Sequence, residues 1–145
     1  MHDTLTVRTP GQGLHEITHD VQSAVRALLD RDTSAGGNAA TSGLCTLFIQ
    51  HTSASLTIQE NADPSAKRDL EAWMNRHVPE HDPHFTHTSE GPDDMPSHIK
   101  AALTATSLGI PVIDGALALG TWQGVYLWEH RVRAHSRRVV VHVSG

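Results

Sequence analysis

Apolar positions along the chain change their period several times, and each change predicts an element. Thr4 to Thr9 alternate and are rich in β-branched residues, which predicts a strand. Pro10-Gly11-Gln12-Gly13 predicts a turn, and His15, Glu16 and Ile17 a short returning strand. Val21, Ala24, Val25, Leu28 and Leu29 then recur at helical spacing, with Thr18 expected as N-cap and Asp20 in the first turn. That helix should run to about Asp30, followed by a loop at Ser34-Ala35-Gly36-Gly37-Asn38.

Leu44 to Gln50 is a nearly continuous apolar run, expected as a buried strand that ends at His51. Leu56 and Ile58 predict a short strand. Asp63-Pro64 reads as an N-cap with proline at the first helical position, opening a helix through Ala66, Leu70, Trp73 and Met74 that stops before Pro79. A polar loop follows from Pro79 to Pro83. Pro96 begins a third helix, expected to turn Ile99, Ala102 and Leu103 inward. Ile110 to Ile113 and Leu117 to Leu119 predict β structure, and Val125 to Val132 with Arg138 to Val143 a terminal hairpin. The order predicts a compact single α+β domain over residues 1–145, with largely antiparallel sheets and about three helices.

Composition narrows the function. A net charge of -5 argues against a general nucleic-acid binder. No apolar run is long enough to span a membrane. The N-terminus lacks the positive and apolar regions of a signal peptide, so a cytoplasmic location is expected. The single Cys45 excludes a disulfide framework or a thiolate zinc site, and its apolar neighbours predict a buried, inert thiol.

Twelve histidines are the informative excess, because imidazole is the commonest transition-metal ligand and titrates near neutrality. His51 stands where a strand meets a polar turn, with Thr52 and Ser53 offering hydroxyls and backbone donors to an oxyanion or phosphate. Ser53 and Ser55 lie in no nucleophile-elbow pattern, which speaks against a Ser-His hydrolase. Asp63 is explained as a helix cap, whereas Glu60 and Asn61 have no such simple role. Asp94 either caps the third helix or orients His98, and His87 joins them if the Glu90-Gly91-Pro92 loop folds back. Trp122 and Gln123, bracketed by Gly120 and Gly124, are either a turn with a core tryptophan or a platform for a ligand ring. Arg131 and Arg133 share a strand face by period-two geometry, and Arg137 and Arg138 lie across the hairpin. The four form either an anion site or a solvated tip.

His51-Thr52-Ser53-Ala54, Asp63-Pro64, His87 with Glu90-Gly91, Asp93 to Ile99, Gly115, Gly120 to Gly124 and Glu129-His130-Arg131 together resemble the YjbQ family over roughly residues 5 to 145. The resemblance implies an α+β domain assembled as a homotrimer around a histidine-lined metal site. It implies a weak thiamine-phosphate synthase activity, which joins a hydroxymethyl-pyrimidine diphosphate to a thiazole phosphate and releases diphosphate. On that reading His51, His98, Asp94 and Glu60 are catalytic. Thr52, Ser53, Asn61, Trp122, Gln123 and Arg131 bind the phosphorylated ligand. His51, His87 and His98 hold a divalent metal, with zinc expected and His130 as a substitute ligand; magnesium could accompany the diphosphate. This chain has Glu129-His130-Arg131 where some members of the family carry a different acidic segment before an arginine. Two alternatives are a metal- or ligand-binding module without turnover, and a metal-assisted hydrolase of a phosphorylated small molecule.

Overall fold

A computed structural model describes residues 1–36 and 41–145. The elements are β1 (His2–Thr9), β2 (Gly13–Glu16), α1 (Thr18–Ser34), β3 (Gly43–Ile49), β4 (Ala54–Glu60), α2 (Pro64–His77), α3 (Asp94–Leu103), β5 (Ser107–Ile113), β6 (Ala116–Leu117), β7 (Gln123–Glu129) and β8 (His135–Ser144). They form a large sheet, β1-β8-β3-β5-β6, and a small one, β2-β7-β4. Every strand pair is antiparallel, so the α+β expectation holds. The predicted loop loses Ser34 to the end of α1, and its Gly37 and Asn38 lie outside the described residues.

Burial explains the layering. On the large sheet, alternate residues Cys45, Leu47 and Ile49 of β3 and Val139, Val141 and Val143 of β8 face inward. They meet Val21, Val25 and Leu28 of α1 and Leu56, Val125 and Leu127 of the small sheet. The other face of the small sheet, at Leu14, Tyr126 and Trp128, is covered by Met74 and Val78, with Leu70 and Ile99 packed alongside. The small sheet is therefore buried on both sides, which is why β7 is buried at every position from Gly124 to Glu129. Each such apolar side chain contributes about 1.5–3 kcal/mol when fully buried. The outer face of the large sheet has no covering layer among the described residues, and Leu44, Phe48 and Ile113 stand exposed on it.

Three expectations are corrected. The C-terminal strands do not form a hairpin: β7 pairs with β2 and β4, while β8 pairs with β1 and β3 in the other sheet. Thr18 is the first residue of α1 rather than its cap; its hydroxyl donates to Glu16 at 2.8 Å and accepts from the Val125 amide at 2.9 Å. In α3 Leu103 is 63% exposed and Ala102 is also exposed, whereas Asp94, Pro96, Ser97 and Lys100 are buried. α3 thus turns its polar stripe, Asp94, Ser97 and Lys100, inward.

Candidate functional site

The segment His51-Thr52-Ser53 links β3 of the large sheet to β4 of the small one. α3 lies against the start of β4, where the Leu56 amide bonds the Ala105 carbonyl at 2.7 Å and the Ser97 hydroxyl donates to the His130 carbonyl at 2.9 Å. These contacts place His98 on α3 beside the linker, with its Nδ1 2.9 Å from the Thr52 carbonyl. A carbonyl only accepts, so Nδ1 carries the proton and neutral His98 has a bare Nε2.

That Nε2 lies 3.4 Å from Asp94 Oδ2, one helical turn earlier, and His87 Nε2 lies 2.9 Å from the same oxygen. Both are close in distance but lack hydrogen-bond angles, so buried Oδ2 is left without a hydrogen-bond partner. The three donor atoms lie within 4.8 Å of one another, and the two rings are 5.4 Å apart. A bare imidazole nitrogen facing a carboxylate oxygen is repulsive unless a proton or cation lies between them. The cluster therefore fits a divalent ion, and two nitrogens with one oxygen suit zinc with a position left for a water or ligand.

The far side of Asp94 is held by Arg131. Arg131 Nη1 donates to Asp94 Oδ1 and Nε to Asp93 Oδ2, both at 2.9 Å, and Nη2 donates to the Glu90 carbonyl at 2.8 Å. The Val132 amide also donates to Asp93 Oδ2, at 2.9 Å. Burial alone would raise the Asp93 carboxyl, but these bonds outweigh it and hold its pKa below the usual range. Asp94 therefore orients the cluster and caps nothing. Arg131 is a strut behind it, correcting the expectation of a free anion-binding fork. The other arginines separate: Arg133 lies in the exposed turn after β7, Arg138 is exposed on the large sheet, and Arg137 is buried in the core. They form no shared wall, because β7 and β8 belong to different sheets.

His51 does not join the metal cluster among the described residues. Its Nδ1 accepts from the Ser53 amide at 3.1 Å and lies 3.1 Å from the Ser53 hydroxyl. Burial, then the charge of Arg137, lowers its pKa from the ordinary histidine value. The ring lines a cavity of about 670 Å3 with His98, Thr52, Phe48 and Ala101. The candidate metal cluster and the cavity thus meet at His98.

His130 is no substitute ligand. It is 1% exposed, bonds Ser55 Oγ through Nε2 at 2.8 Å, and has its pKa pushed down to about 3, chiefly by burial. Glu60, Asn61, Trp122 and Gln123 sit at the opposite end of β4 and β7, where Glu60 pairs with Gln123. The seven residues of β4 separate them from Ser53 by on the order of 20 Å at about 3.3 Å per residue. Asn61 donates to Glu16 of β2 at 3.1 Å, a bond across the small sheet, and Gln123 Oε1 accepts from the Gly120 amide at 2.7 Å, closing a local turn. Within one chain these four cannot complete the His51 cavity. Cys45 is fully buried as expected, and burial raises its thiol to about 11.

Sequence reasoning missed the buried group behind His51. Arg137 Nε donates to Glu129 Oε1 at 2.7 Å, Arg137 Nη2 bonds Glu129 Oε2, and Nη2 also donates to Ser53 Oγ at 3.0 Å. The Thr9 hydroxyl donates to Glu129 Oε1 at 2.6 Å. Burial would raise Glu129, but bonds from Arg137 and Thr9 outweigh it and keep the carboxyl below its usual range. A signal was present: Arg137 shares the alternating phase of Val139, Val141 and Val143, which places it on the buried face.

The family model for UPF0047 protein YjbQ-like matches residues 3–145. A UPF0047 protein of Synechocystis is 48% identical over 143 residues, covering 99% of this chain and 90% of that protein. The UPF0047 protein YjbQ of Escherichia coli O157:H7 is 40% identical over 142 residues, covering 98% and 96%. Among solved structures, a conserved hypothetical protein of Thermus thermophilus superposes with a TM-score of 0.82 at 33% identity, covering 98% of this chain and 99% of that one. An uncharacterised YjbQ/UPF0047 protein of Clostridium acetobutylicum gives 0.77 at 33% identity, covering 99% of each.

Proposed function

The chain belongs to the YjbQ-like UPF0047 family, and from that premise we propose that it is a metal-dependent, homotrimeric enzyme acting on phosphorylated small molecules by thiamine-phosphate synthase-type transfer. The observation that carries this reading is buried Asp94 Oδ2, without a hydrogen bond, between His87 and His98 at the edge of the His51 cavity. His87, Asp94 and His98 would hold the ion, and a bound divalent metal supplies charge stabilisation for a phosphate or diphosphate oxygen.

The chain's own residues supply the rest. In the transfer, the methylene–oxygen bond of the pyrimidine diphosphate breaks, diphosphate leaves with the bonding pair, and the thiazole nitrogen forms the new bond to that carbon. His51 stands beside the ligands and donates a hydrogen bond to the departing oxygens. The Thr52 carbonyl fixes the His98 tautomer, and Arg131 holds Asp94. Phe48 belongs both to the cavity and to the uncovered sheet face with Leu44 and Ile113, which supports a trimer with the cavity near the subunit boundary.

The test is metal analysis of the purified protein, then product detection with the two thiamine precursors at defined zinc and magnesium. About one bound ion per chain and a thiamine phosphate signal abolished by Asp94→Asn support the reading. A stoichiometric ion without turnover would favour a binding module. Diphosphate release without coupling would favour a metal-assisted hydrolase.

A further inference from the structure

Behind His51 runs a chain of buried polar groups whose directions are fixed by chemistry. Thr9, Ser53, Glu129 and Arg137 are each at most 2% exposed. A guanidinium only donates, so the Arg137 contact makes Ser53 Oγ an acceptor. The Ser53 hydroxyl proton is then free to point at His51 Nδ1, 3.1 Å away. The Ser53 amide can only donate, and it too is directed at Nδ1 from 3.1 Å. Two donors converge on one ring nitrogen, so that nitrogen holds a lone pair and the proton of neutral His51 resides on Nε2.

We infer that Arg137, clamped by Glu129 and Thr9, is a positioning residue that acts through Ser53 to fix His51 as the Nε2–H tautomer, presenting a hydrogen-bond donor to an anionic phosphate or diphosphate oxygen in the cavity. This deepens the proposed function and rests on it for the ligand, but not for the tautomer. It gives the two cavity histidines opposite roles. His98 has its proton on Nδ1, held by the Thr52 carbonyl, and a lone pair on Nε2 for a cation. His51 has the reverse arrangement. Adjacent residues 52 and 53 enforce the difference, one through a carbonyl acceptor and the other through two donors. A pocket with a cation on one side and an N–H on the other suits an oxyanion bridging the two.

Glu129 is what keeps Arg137 in register. It takes Nε and Nη2 on its two oxygens, and Thr9 adds a third bond. A lysine at 137 would keep the charge but could not span both Glu129 and Ser53 with one ammonium in the same geometry.

The test is long-range 1H–15N spectroscopy of the histidine rings in the full protein, which distinguishes the protonated from the bare nitrogen without ligand or activity. His51 is expected to show a bare Nδ1 and a protonated Nε2 at neutral pH. A protonated Nδ1, or averaged signals from both tautomers, overturns the inference. Arg137→Lys is expected to raise the fraction of His51 protonated on Nδ1 above wild type, with zinc content unchanged; if that variant does not fold, Ser53→Ala, which removes the hydroxyl and leaves the amide donor, is expected to do the same. Unchanged His51 signals in a folded variant would remove Arg137 from the role. Inorganic diphosphate then probes the ligand: wild type should bind at least tenfold more tightly than His51→Phe. The fixed tautomer with equal diphosphate affinity would leave the tautomer assignment standing, overturn the donor role, and count against the phosphate-directed function.

Discussion

Arg131 Nη1 lies 2.9 Å from Asp94 Oδ1, and the other oxygen of the same carboxylate faces His87 and His98. The ion-pair half of Asp94 thus orients the half that is free to bind. Removing the guanidinium leaves Asp93 and Asp94 facing each other's charge with only backbone donors to hold Asp93. Arg131→Ala should cost about 2–3 kcal/mol of stability in urea unfolding, since breaking a largely buried charged pair strands its partner. It should also weaken zinc roughly 10–100-fold in competition with a chelator, the usual effect of losing a group that orients a ligand. Full zinc affinity would show that Asp94 needs no orienting partner.

Metal content separates the proposed ligands His87, Asp94 and His98 from His51. Asp94→Asn and His98→Ala should each lose bound zinc by elemental analysis. His51→Ala should retain it, because its Nδ1 is turned to Ser53. Loss of zinc from His51→Ala in a folded protein would restore His51 to the ligand set.

Glu129 and Arg137 form a fully buried pair, 0% and 1% exposed. Arg137→Met alone should destabilise by about 3–5 kcal/mol, because Glu129 keeps a buried charge without its partner. The double variant Glu129→Leu/Arg137→Met should recover most of that loss. Thermal and urea unfolding of the single and double variants make the check, and a double variant no better than Arg137→Met would show that packing, not charge, dominates the site.

Phe48 is 48% exposed on the open sheet face. If that face is the trimer contact, Phe48→Asp should shift the sedimentation mass from trimer toward monomer with secondary structure intact, since a desolvated carboxylate opposes association. A persistent trimer would place the contact elsewhere.

These outcomes depend on parts of the molecule that were unequally legible in the sequence. The α1 stripe and the Asp63-Pro64 cap were readable because both signals are local, and Asp63 Oδ1 does accept from the Ser65 amide at 2.9 Å. The His87, Asp94 and His98 cluster was legible as a grouping, though not its exclusion of His51, which depends on where a ring edge turns. The false hairpin arose because β7 and β8 are consecutive strands, and proximity in sequence does not decide sheet membership. On α3, Ile99 packs inward as expected, but Ala102 and Leu103 were misread because they are more apolar than Asp94, Ser97 and Lys100, whose hydrogen bonds and ion pairs carry the buried stripe instead. Lys100 is 4% exposed, and its Nζ donates to Asn75 at 2.6 Å. Trp122 and Gln123 were joined to His51 by their ligand-like chemistry, while β4 holds them at its opposite end.

His130 gives the last prediction. Its ring is buried, Nε2 is bonded to Ser55 and Nδ1 has no hydrogen-bond partner, so the native state holds it neutral. Its folded pKa is lowered to about 3 from 6.5, chiefly by burial and then by the charge of Lys100. The unfolded chain therefore takes up a proton near pH 6.5 that the folded chain refuses until about pH 3. Stability should be full above that window and fall as pH drops through it, by about 1.4 kcal/mol per pH unit from this group. Glu129, whose carboxyl is lowered, adds a loss of the same sign nearer its own, more acidic range. His130→Gln keeps an amide able to reach Ser55 but does not titrate. In metal-free protein it should flatten the decline between about pH 6 and 4.5 while leaving the steeper carboxylate loss below. Urea unfolding across pH measures both slopes. Parallel curves for the variant and wild type would mean that the folded protein accepts the His130 proton without penalty, contrary to its burial.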